Sequence, residues 1–213
     1  MRQRTFRRTH GADDDGIPPP PMPAQQYLVD TLVVAKGEKD INRSTSGNLF
    51  GIAIRDSYSG MGVVWPASTH TTTKIIEMFR KFAGAKTNRI NVRVKSDAAK
   101  EIIQAVNELR WIADHGIENK WPHNAVHERW HGTIKSVCRA CMLQSGLPYK
   151  SWDFCLGYAS VALAISQLAP IMPWGKDAAG NILPAAKEKA KLTCWEAHHN
   201  GDAFSGPRQP FGK

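Results

Sequence analysis

The spacing of apolar residues changes along this chain, and that change constrains the fold more than any other feature. β-Rich runs at residues 27–34, 49–55 and 61–65 follow one another, and the turn formers of residues 56–60 predict a hairpin between the last two. Helical spacing begins only afterwards, over residues 75–83. The sequence therefore predicts consecutive strands first and helices later.

The second half of the chain alternates between the two periods. Apolar residues alternate with polar ones over 90–95, which predicts a strand, and helical spacing over 102–113 predicts a helix that closes near residues 115–116. A long helix is expected from about 124 to 143, and a hydrophobic one from about 151 to 167. Together these elements predict an α/β fold, with a mixed β-sheet of about five strands flanked by α-helices.

Composition divides the chain into three parts and suggests a partner. We expect a flexible basic and proline-rich arm over residues 1–25, a folded core over 26–170 and a largely irregular extension over 171–213. Among 213 residues, 28 Lys and Arg against 19 Asp and Glu give a net charge of +9, which suits a polyanion such as nucleic acid or an anionic membrane. No secretory signal accompanies the four cysteines, which predicts reduced thiols: Cys138, Cys141, Cys155 and Cys194.

A membrane span is the interpretation that residues 154–175 invite, because this stretch carries no formal charge. Pro170 and Pro173 interrupt it, and several small or polar residues make it only weakly apolar. A buried helix is the better interpretation, so we expect no membrane partner.

Three acidic residues mark the candidate site. Asp30 interrupts the first apolar strand, Asp97 ends a later strand, and Glu128 lies at the start of the long helix. A carboxylate that faces a core is costly unless it is neutralised, protonated or bound to metal. Because hard divalent cations take oxygen ligands, three converging carboxylates predict a Mg²⁺ or Mn²⁺ site.

The start of the long helix also fits a different chemistry. Residues 127–131 match the H-E-x-x-H pattern of zinc proteases, in which two histidines four apart bind zinc and the glutamate acts as base. Arg129 places a permanent cation inside that motif, and no third ligand follows at a recognisable spacing. A zinc protease is therefore the remote alternative, and His127 and His131 are interpreted as flanking helix residues.

Two sides of the long helix separate when successive residues are placed 100° apart. The cationic side carries Glu128, Gly132, Lys135 and Arg139, where a phosphate backbone fits, although a solvated ion-paired face is the plain alternative. The other side is apolar and predicts a core stripe: Val126, Trp130, Ile134, Val137 and Cys141.

These residues resemble the catalytic core of retroviral and copia-type retrotransposon integrases, which has an RNase H-like fold. Asp30, Asp97 and Glu128 look like the acidic triad of that family, and the resemblance covers roughly residues 27–170. Four further segments follow in the family's order. Ile54-Arg55-Asp56-Ser57-Tyr58-Ser59 is similar to the family's Ile/Val-Asp-Asp-Tyr-Ser hairpin, and Lys95-Ser96-Asp97-Ala98-Ala99-Lys100-Glu101 is similar to its Arg-Ser-Asp-Asn-Gly-Gly-Glu segment. Asn124-Ala125-Val126-His127-Glu128-Arg129 is similar to Asn-Gly-Val-Ala-Glu-Arg, and Arg139-Ala140-Cys141-Met142-Leu143 with Ser145-Gly146-Leu147-Pro148 and Trp152 is similar to the copia-type ending.

The resemblance implies a polynucleotidyl transferase that integrates DNA with two Mg²⁺ or Mn²⁺ ions. Asp30 would bridge both ions and the other two acids would hold one each. It further implies DNA as partner, a homo-oligomer and action in the nucleus. DNA phosphates would be bound by basic residues near the triad: Lys95, Arg129, Lys135 and Arg139.

Two departures from the family pattern leave a second function open. Ala99 and Lys100 stand where the family has glycines, and only residues 98–127, 30 in all, separate the second acid from the third. A degenerate integrase-like domain that binds nucleic acid without catalysis is therefore the main alternative. Both ends also lack modules usual in the family, so we expect a polyprotein fragment or a truncated element.

Overall fold

A five-stranded mixed sheet forms the centre of the molecule. The computed structural model describes residues 22–33, 43–89, 91–97, 99–115, 125–169, 181–182 and 184–199. The strands are β1 (Gln26–Val33), β2 (Phe50–Asp56), β3 (Gly62–Ala67), β4 (Arg93–Ser96) and β5 (Ile112–His115). Across the sheet they are ordered β3-β2-β1-β4-β5. The β1–β2 and β2–β3 pairs are antiparallel, whereas β1–β4 and β4–β5 are parallel. This confirms the predicted α/β fold.

Helices cover both faces of the sheet. Strand β1 alternates between two cores: Tyr27 and Val29 pack on one side of the sheet, and Leu32 packs on the other. The helices are α1 (Thr72–Ala83), α2 (Lys100–Glu108), α3 (Ala125–Ser145), α4 (Trp152–Ser166), α5 (Pro184–Lys189) and α6 (Cys194–His198), with 3-10 turns at Gly84–Asn88 and Tyr149–Ser151. Buried residues of α1 and α2 belong to the first core, and those of α3 lie in the second, together with most of those of α4. Because side chains alternate along a strand, Asp30 faces α3.

The helix predicted over residues 102–113 ends earlier than expected, and this prediction was wrong. Helix α2 ends at Glu108, Arg110 adopts a left-handed backbone with φ of 57°, and residues 112–115 form β5. The backbone N–H of Ile112 donates to the carbonyl of Val92 at 2.8 Å, so the open edge of β4 recruits the segment as a strand. Leu109 still packs against the same core, which explains why the apolar spacing looked helical.

Trp130 makes the tightest contact between helix α3 and the sheet. Trp130 is buried, and its ring lies against Gly62 on β3 so closely that a Cβ atom at that glycine would overlap it. Ile134 is buried one turn later. The apolar stripe predicted for this helix therefore packs as expected at its centre, while Val137 and Cys141 are only half-buried.

Helix α4 is buried on one side only. Trp152 and Ala159 are buried, but Phe154, Tyr158 and Val161 are 59%, 44% and 37% exposed. The helix that the sequence predicted to be buried is therefore buried along one side and exposed along the other. None of the described helices has the length and apolar character needed to cross a membrane.

All four cysteines are free thiols, as predicted. Three are buried and Cys141 is half-buried. Burial raises the pKa of the Cys138 thiol to about 12, so this thiol stays protonated and unreactive at neutral pH.

The turn between β2 and β3 is fastened to the last described helix. Asp56 is completely buried, and its Oδ2 accepts hydrogen bonds from the Ser59 backbone N–H at 2.8 Å and from the Ser59 hydroxyl at 2.6 Å. His198 Nδ1 lies 3.6 Å from the same oxygen. The Lys189 ammonium donates to the carbonyl of Tyr58 at 2.7 Å. Residues 184–199 therefore complete the environment of the predicted hairpin.

Candidate active site

Asp30 lies in the middle of β1 and faces α3. Its Oδ1 accepts a hydrogen bond from the backbone N–H of Thr31 at 2.7 Å, and its side chain is 36% exposed. The pKa of this carboxyl is raised from 3.8 to about 6, chiefly by burial, and the negative charges of Asp97 and Glu128 contribute to the rise. The three predicted acids therefore lie within electrostatic reach of one another.

Strand register explains why Asp97 lies near Asp30. Leu28 on β1 pairs in parallel with Lys95 on β4. Asp30 and Asp97 each lie two residues beyond this pair in the same direction. They are therefore neighbours on the same face of the sheet. Asp97 is exposed just beyond the end of β4, and Glu128 is half-exposed in the first turn of α3. The sheet and one helix thus bring three carboxylates from distant parts of the sequence to the same side of the sheet.

The carboxylates do not form a closed metal cage. Among the residues that the structure describes, no three His, Cys, Asp or Glu side chains converge closely enough to hold a metal ion. The same finding applies to the pair of histidines in the H-E-x-x-H pattern, which gain no third ligand. Asn124 and most of the connection before α3 lie outside the described residues, as does Ala98.

The donor set nevertheless suits a hard divalent cation. All three side chains offer carboxylate oxygens, the ligands that Mg²⁺ and Mn²⁺ prefer. Mutual repulsion already raises the pKa of Asp30, and a bound cation would relieve that repulsion. Asp30, Asp97 and Glu128 therefore fit such an ion in chemistry.

The charge on Asp30 should lower the stability of the fold at neutral pH. Its pKa in the folded protein exceeds the unfolded value, so the ionised form disfavours folding, and this cost develops as pH rises from about 4 to about 6. We expect Asp30→Asn to raise the free energy of unfolding by about 1 kcal/mol at pH 7.5, a figure reduced for the partial exposure of the side chain. Urea unfolding at pH 7.5 and 4.5 measures this, and the gain should shrink at the lower pH.

A variant on the other face of the sheet gives the opposite sign. Hydrogen bonds to Lys74 and Lys81 lower the pKa of Glu77 to about 2, so this carboxylate favours folding when ionised. Glu77→Gln should therefore not stabilise the protein at pH 7.5. A loss of stability in Asp30→Asn at that pH would contradict the electrostatic account.

Two buried histidines lie behind the acids. The sequence interpretation took them for flanking helix residues and missed their burial and the contact of one of them with Asp30. His127 is 1% and His131 7% exposed, and their Nε2 atoms are 3.1 Å apart. His131 Nδ1 lies 3.6 Å from Asp30 Oδ2. Burial lowers the pKa of both rings, that of His131 to about 4, so both are neutral at pH 7. The contact of His131 with Asp30 is therefore not an ion pair. The sequence did contain a sign of this burial, because His127 lies only about 20° from the apolar residue Ile134 around the helix.

Cations surround this site on two sides. Arg55 is buried on β2, its Nε donates to the Gly60 carbonyl at 3.0 Å, and its guanidinium lies 5.7 Å from the Trp130 ring centroid. Burial lowers its pKa to about 10, so it keeps its charge at neutral pH. On the outer side the Lys135 charge opposes the rise in the pKa of Asp30, which places this lysine within electrostatic reach of that acid.

The four residues predicted to bind nucleic acid differ in position. Arg129, Lys135 and Arg139 are exposed on α3. Lys95 is half-buried on β4, on the same face of the sheet as Asp30. All four therefore lie on elements that carry or border the acids, and their role stays a prediction.

Solved structures supply the comparison that sequence does not. No protein-family profile matches the sequence, and no curated protein matches it significantly. The catalytic core domain of HTLV-2 integrase, solved in complex with magnesium, matches in its trimeric form with 16% identity and a TM-score of 0.51, over 84% of this chain and 98% of that one. Its dimeric form matches with 15% identity and a TM-score of 0.51, over 84% and 97%.

A larger assembly matches as well. The simian T-cell lymphotropic virus intasome, solved in complex with PP2A regulatory subunit B56 gamma, has 16% identity and a TM-score of 0.55, over 89% of this chain and 57% of that one. The fold is that of an integrase catalytic core. At these identities the likeness extends to the integrase-like fold alone, and the closer resemblance to copia-type elements stays a prediction.

Proposed function

We propose that this chain is the catalytic core of a DNA integrase, which cleaves and joins DNA strands during retrotransposon integration. One observation carries the proposal: in an integrase-like fold, the parallel pairing of β1 with β4 sets Asp30 beside Asp97, and Glu128 lies in the first turn of the helix that packs on the same face of the sheet. Such a concentration of negative charge lowers stability, and function is the usual reason for its retention.

The residues divide into two roles. Asp30, Asp97 and Glu128 would together hold two divalent cations, Mg²⁺ or Mn²⁺. Such ions, when bound, supply Lewis acidity to activate a water or a DNA 3′-hydroxyl and to stabilise the leaving oxygen of the scissile phosphate. Phosphates of the DNA lie along the basic residues of α3 and β4, with little base specificity, because phosphate contacts carry no sequence information. These residues are Lys95, Arg129, Lys135 and Arg139.

Charge and family likeness support the remaining parts of the proposal. A net charge of +9 favours binding to the DNA polyanion and makes that binding dependent on salt. The matched HTLV-2 cores were solved as dimers and trimers, in complex with magnesium, and we infer a homo-oligomer and Mg²⁺ use for this chain as well. Integration into chromosomal DNA places its activity in the nucleus, and copia-type elements are its proposed origin.

A non-catalytic nucleic-acid-binding domain is the second candidate function. The observation that favours it is the absence of a closed group of three metal ligands within the described residues. Ala99 and Lys100, which replace the family's glycines, point the same way. The two candidates differ in whether the protein binds a divalent cation.

A Mn²⁺ titration followed by thermal unfolding separates the candidates. A ligand that binds only the folded state stabilises it by about 2.7 kcal/mol when its concentration is 100 times Kd. We expect millimolar Mn²⁺ to raise the melting temperature by several degrees, and the same ion to be required for nicking of a DNA duplex. Glu77→Gln is the matched control, because it removes a carboxylate from the other face of the sheet and should leave the Mn²⁺ response intact. No response of the wild-type protein would favour the non-catalytic domain.

A further inference from the structure

Asp30 is approached by the chain at both of its oxygens. The Thr31 backbone N–H holds Oδ1 at 2.7 Å, and His131 Nδ1 faces Oδ2 at 3.6 Å. An aspartate held at one oxygen can still rotate about its last side-chain bond, whereas a group at each oxygen fixes the plane of the carboxylate. The second contact therefore bears on the orientation of this acid.

His131 itself is held from behind. Its Nε2 lies 3.1 Å from His127 Nε2, and the His127 ring stacks on Trp130 with centroids 5.3 Å apart and planes at 21°. Both histidines are buried, so neither ring turns freely. The row of side chains thus runs from the tryptophan that anchors α3 to the carboxylate on β1.

The direction of the histidine–histidine hydrogen bond decides what His131 offers to Asp30. A neutral imidazole has one N–H donor and one bare nitrogen. If His131 donated from Nε2, its bare Nδ1 would face the acceptor oxygens of Asp30, and two lone pairs would oppose each other. If His127 donates instead, the N–H of His131 lies on Nδ1 and points at Asp30. Only the second arrangement is favourable at both contacts.

We propose that His131 is a positioning residue for Asp30, with His127 donating from Nε2 to His131 Nε2 and His131 presenting its Nδ1–H to Asp30 Oδ2. At 3.6 Å this last contact is longer than a hydrogen bond, so His131 acts on the carboxylate through the direction of its N–H dipole. The effect on metal binding rests on the proposed function, whereas the hydrogen-bond direction does not.

Two substitutions at His131 test the metal-binding part. His131→Asn keeps an N–H donor close to the position of Nδ1, and His131→Leu fills similar space without a donor. Loss of a group that orients a metal ligand typically lowers metal affinity about 10–100-fold. We expect Leu to raise the Kd for Mn²⁺ at least about tenfold and Asn to restore most of the affinity, with His70→Leu, at an exposed histidine, as the control.

Some outcomes overturn the positioning role. Wild-type affinity in His131→Leu would do so, and so would equal losses in Leu and Asn, which would indicate packing instead of hydrogen bonding. The proposed function survives either of these results as long as the wild-type protein binds Mn²⁺ and Glu128→Gln abolishes that binding. The two hypotheses therefore fail separately.

Ring nitrogen chemical shifts test the hydrogen-bond direction without metal or activity. In ¹⁵N-labelled protein at pH 8, we expect His131 to be protonated on Nδ1 and His127 on Nε2. Protonation of His131 on Nε2 overturns the proposal, whether or not the protein binds Mn²⁺. If the tautomers are as expected but the protein does not respond to Mn²⁺, the contact between His131 and Asp30 stands and only the proposed catalytic function is rejected.

Discussion

Glu128→Gln is expected to lower the rate of Mn²⁺-dependent DNA cleavage at least about a hundredfold. The charge of a metal ligand stabilises the transition state by a few kcal/mol, and each 1.4 kcal/mol lost reduces the rate about tenfold. The side chain is half-exposed at the start of α3 and its charge raises the pKa of Asp30, so glutamine keeps the volume and removes the repulsion. The melting temperature without metal should therefore stay equal or rise slightly.

The measurement is nicking of a DNA duplex over a range of Mn²⁺ concentrations. Glu77→Gln makes the same chemical change on α1 and should cleave DNA like the wild type. Cleavage by Glu128→Gln at the wild-type rate would remove this acid from the triad. A rate that recovers at high Mn²⁺ would instead assign the loss to metal affinity.

Trp130→Ala is expected to lower the free energy of unfolding by about 3–5 kcal/mol, the usual range for truncating a buried tryptophan. Its ring is only 6% exposed, lies against Gly62 and stacks on His127. Because the same residue holds the start of α3 against the sheet, the variant should lose Mn²⁺ binding as well as stability. Urea unfolding measures the first effect and the Mn²⁺ titration the second.

Gly62→Ala provides the matched test of the same contact. In the wild type the added methyl group would overlap the Trp130 ring and should cost about 1–3 kcal/mol. In the Trp130→Ala background that overlap is gone, so the second substitution should cost much less. Additive effects of the two substitutions would show that the ring does not press on Gly62.

Local patterns predicted the elements of the fold but not all of their boundaries. The alternation of β4 and the helical spacing of α1 are set by burial on one face, and burial of that kind leaves a period in the sequence. Residues 109–113 kept a helical spacing although 112–115 form β5, because Leu109 and Ala113 pack against the same core from two different elements. Only pairing with β4, distant in sequence, decides between the two structures.

The acids of the candidate site were predicted from the sequence, but their surroundings were not. Asp30 is conspicuous because a charge interrupts an apolar strand. The burial of His127 and His131 is not conspicuous in the sequence, because histidine is common both in cores and on surfaces. Their burial depends on where Trp130 and the sheet place α3, and no local spacing encodes that. A contact between β1 and α3 is a property of the assembled fold.

Asp56 and the C-terminal helices have a consequence for the order in which this chain acquires its structure. Ser59 and His198, which meet beside the buried Asp56 carboxylate, are 139 residues apart in sequence. A ribosome releases the β2–β3 hairpin long before it has synthesised α6. Until then, the carboxylate lacks its histidine and water can reach it. The contacts within the hairpin are local, whereas the contact of Asp56 with His198 closes a long loop and has to wait until α6 has been synthesised.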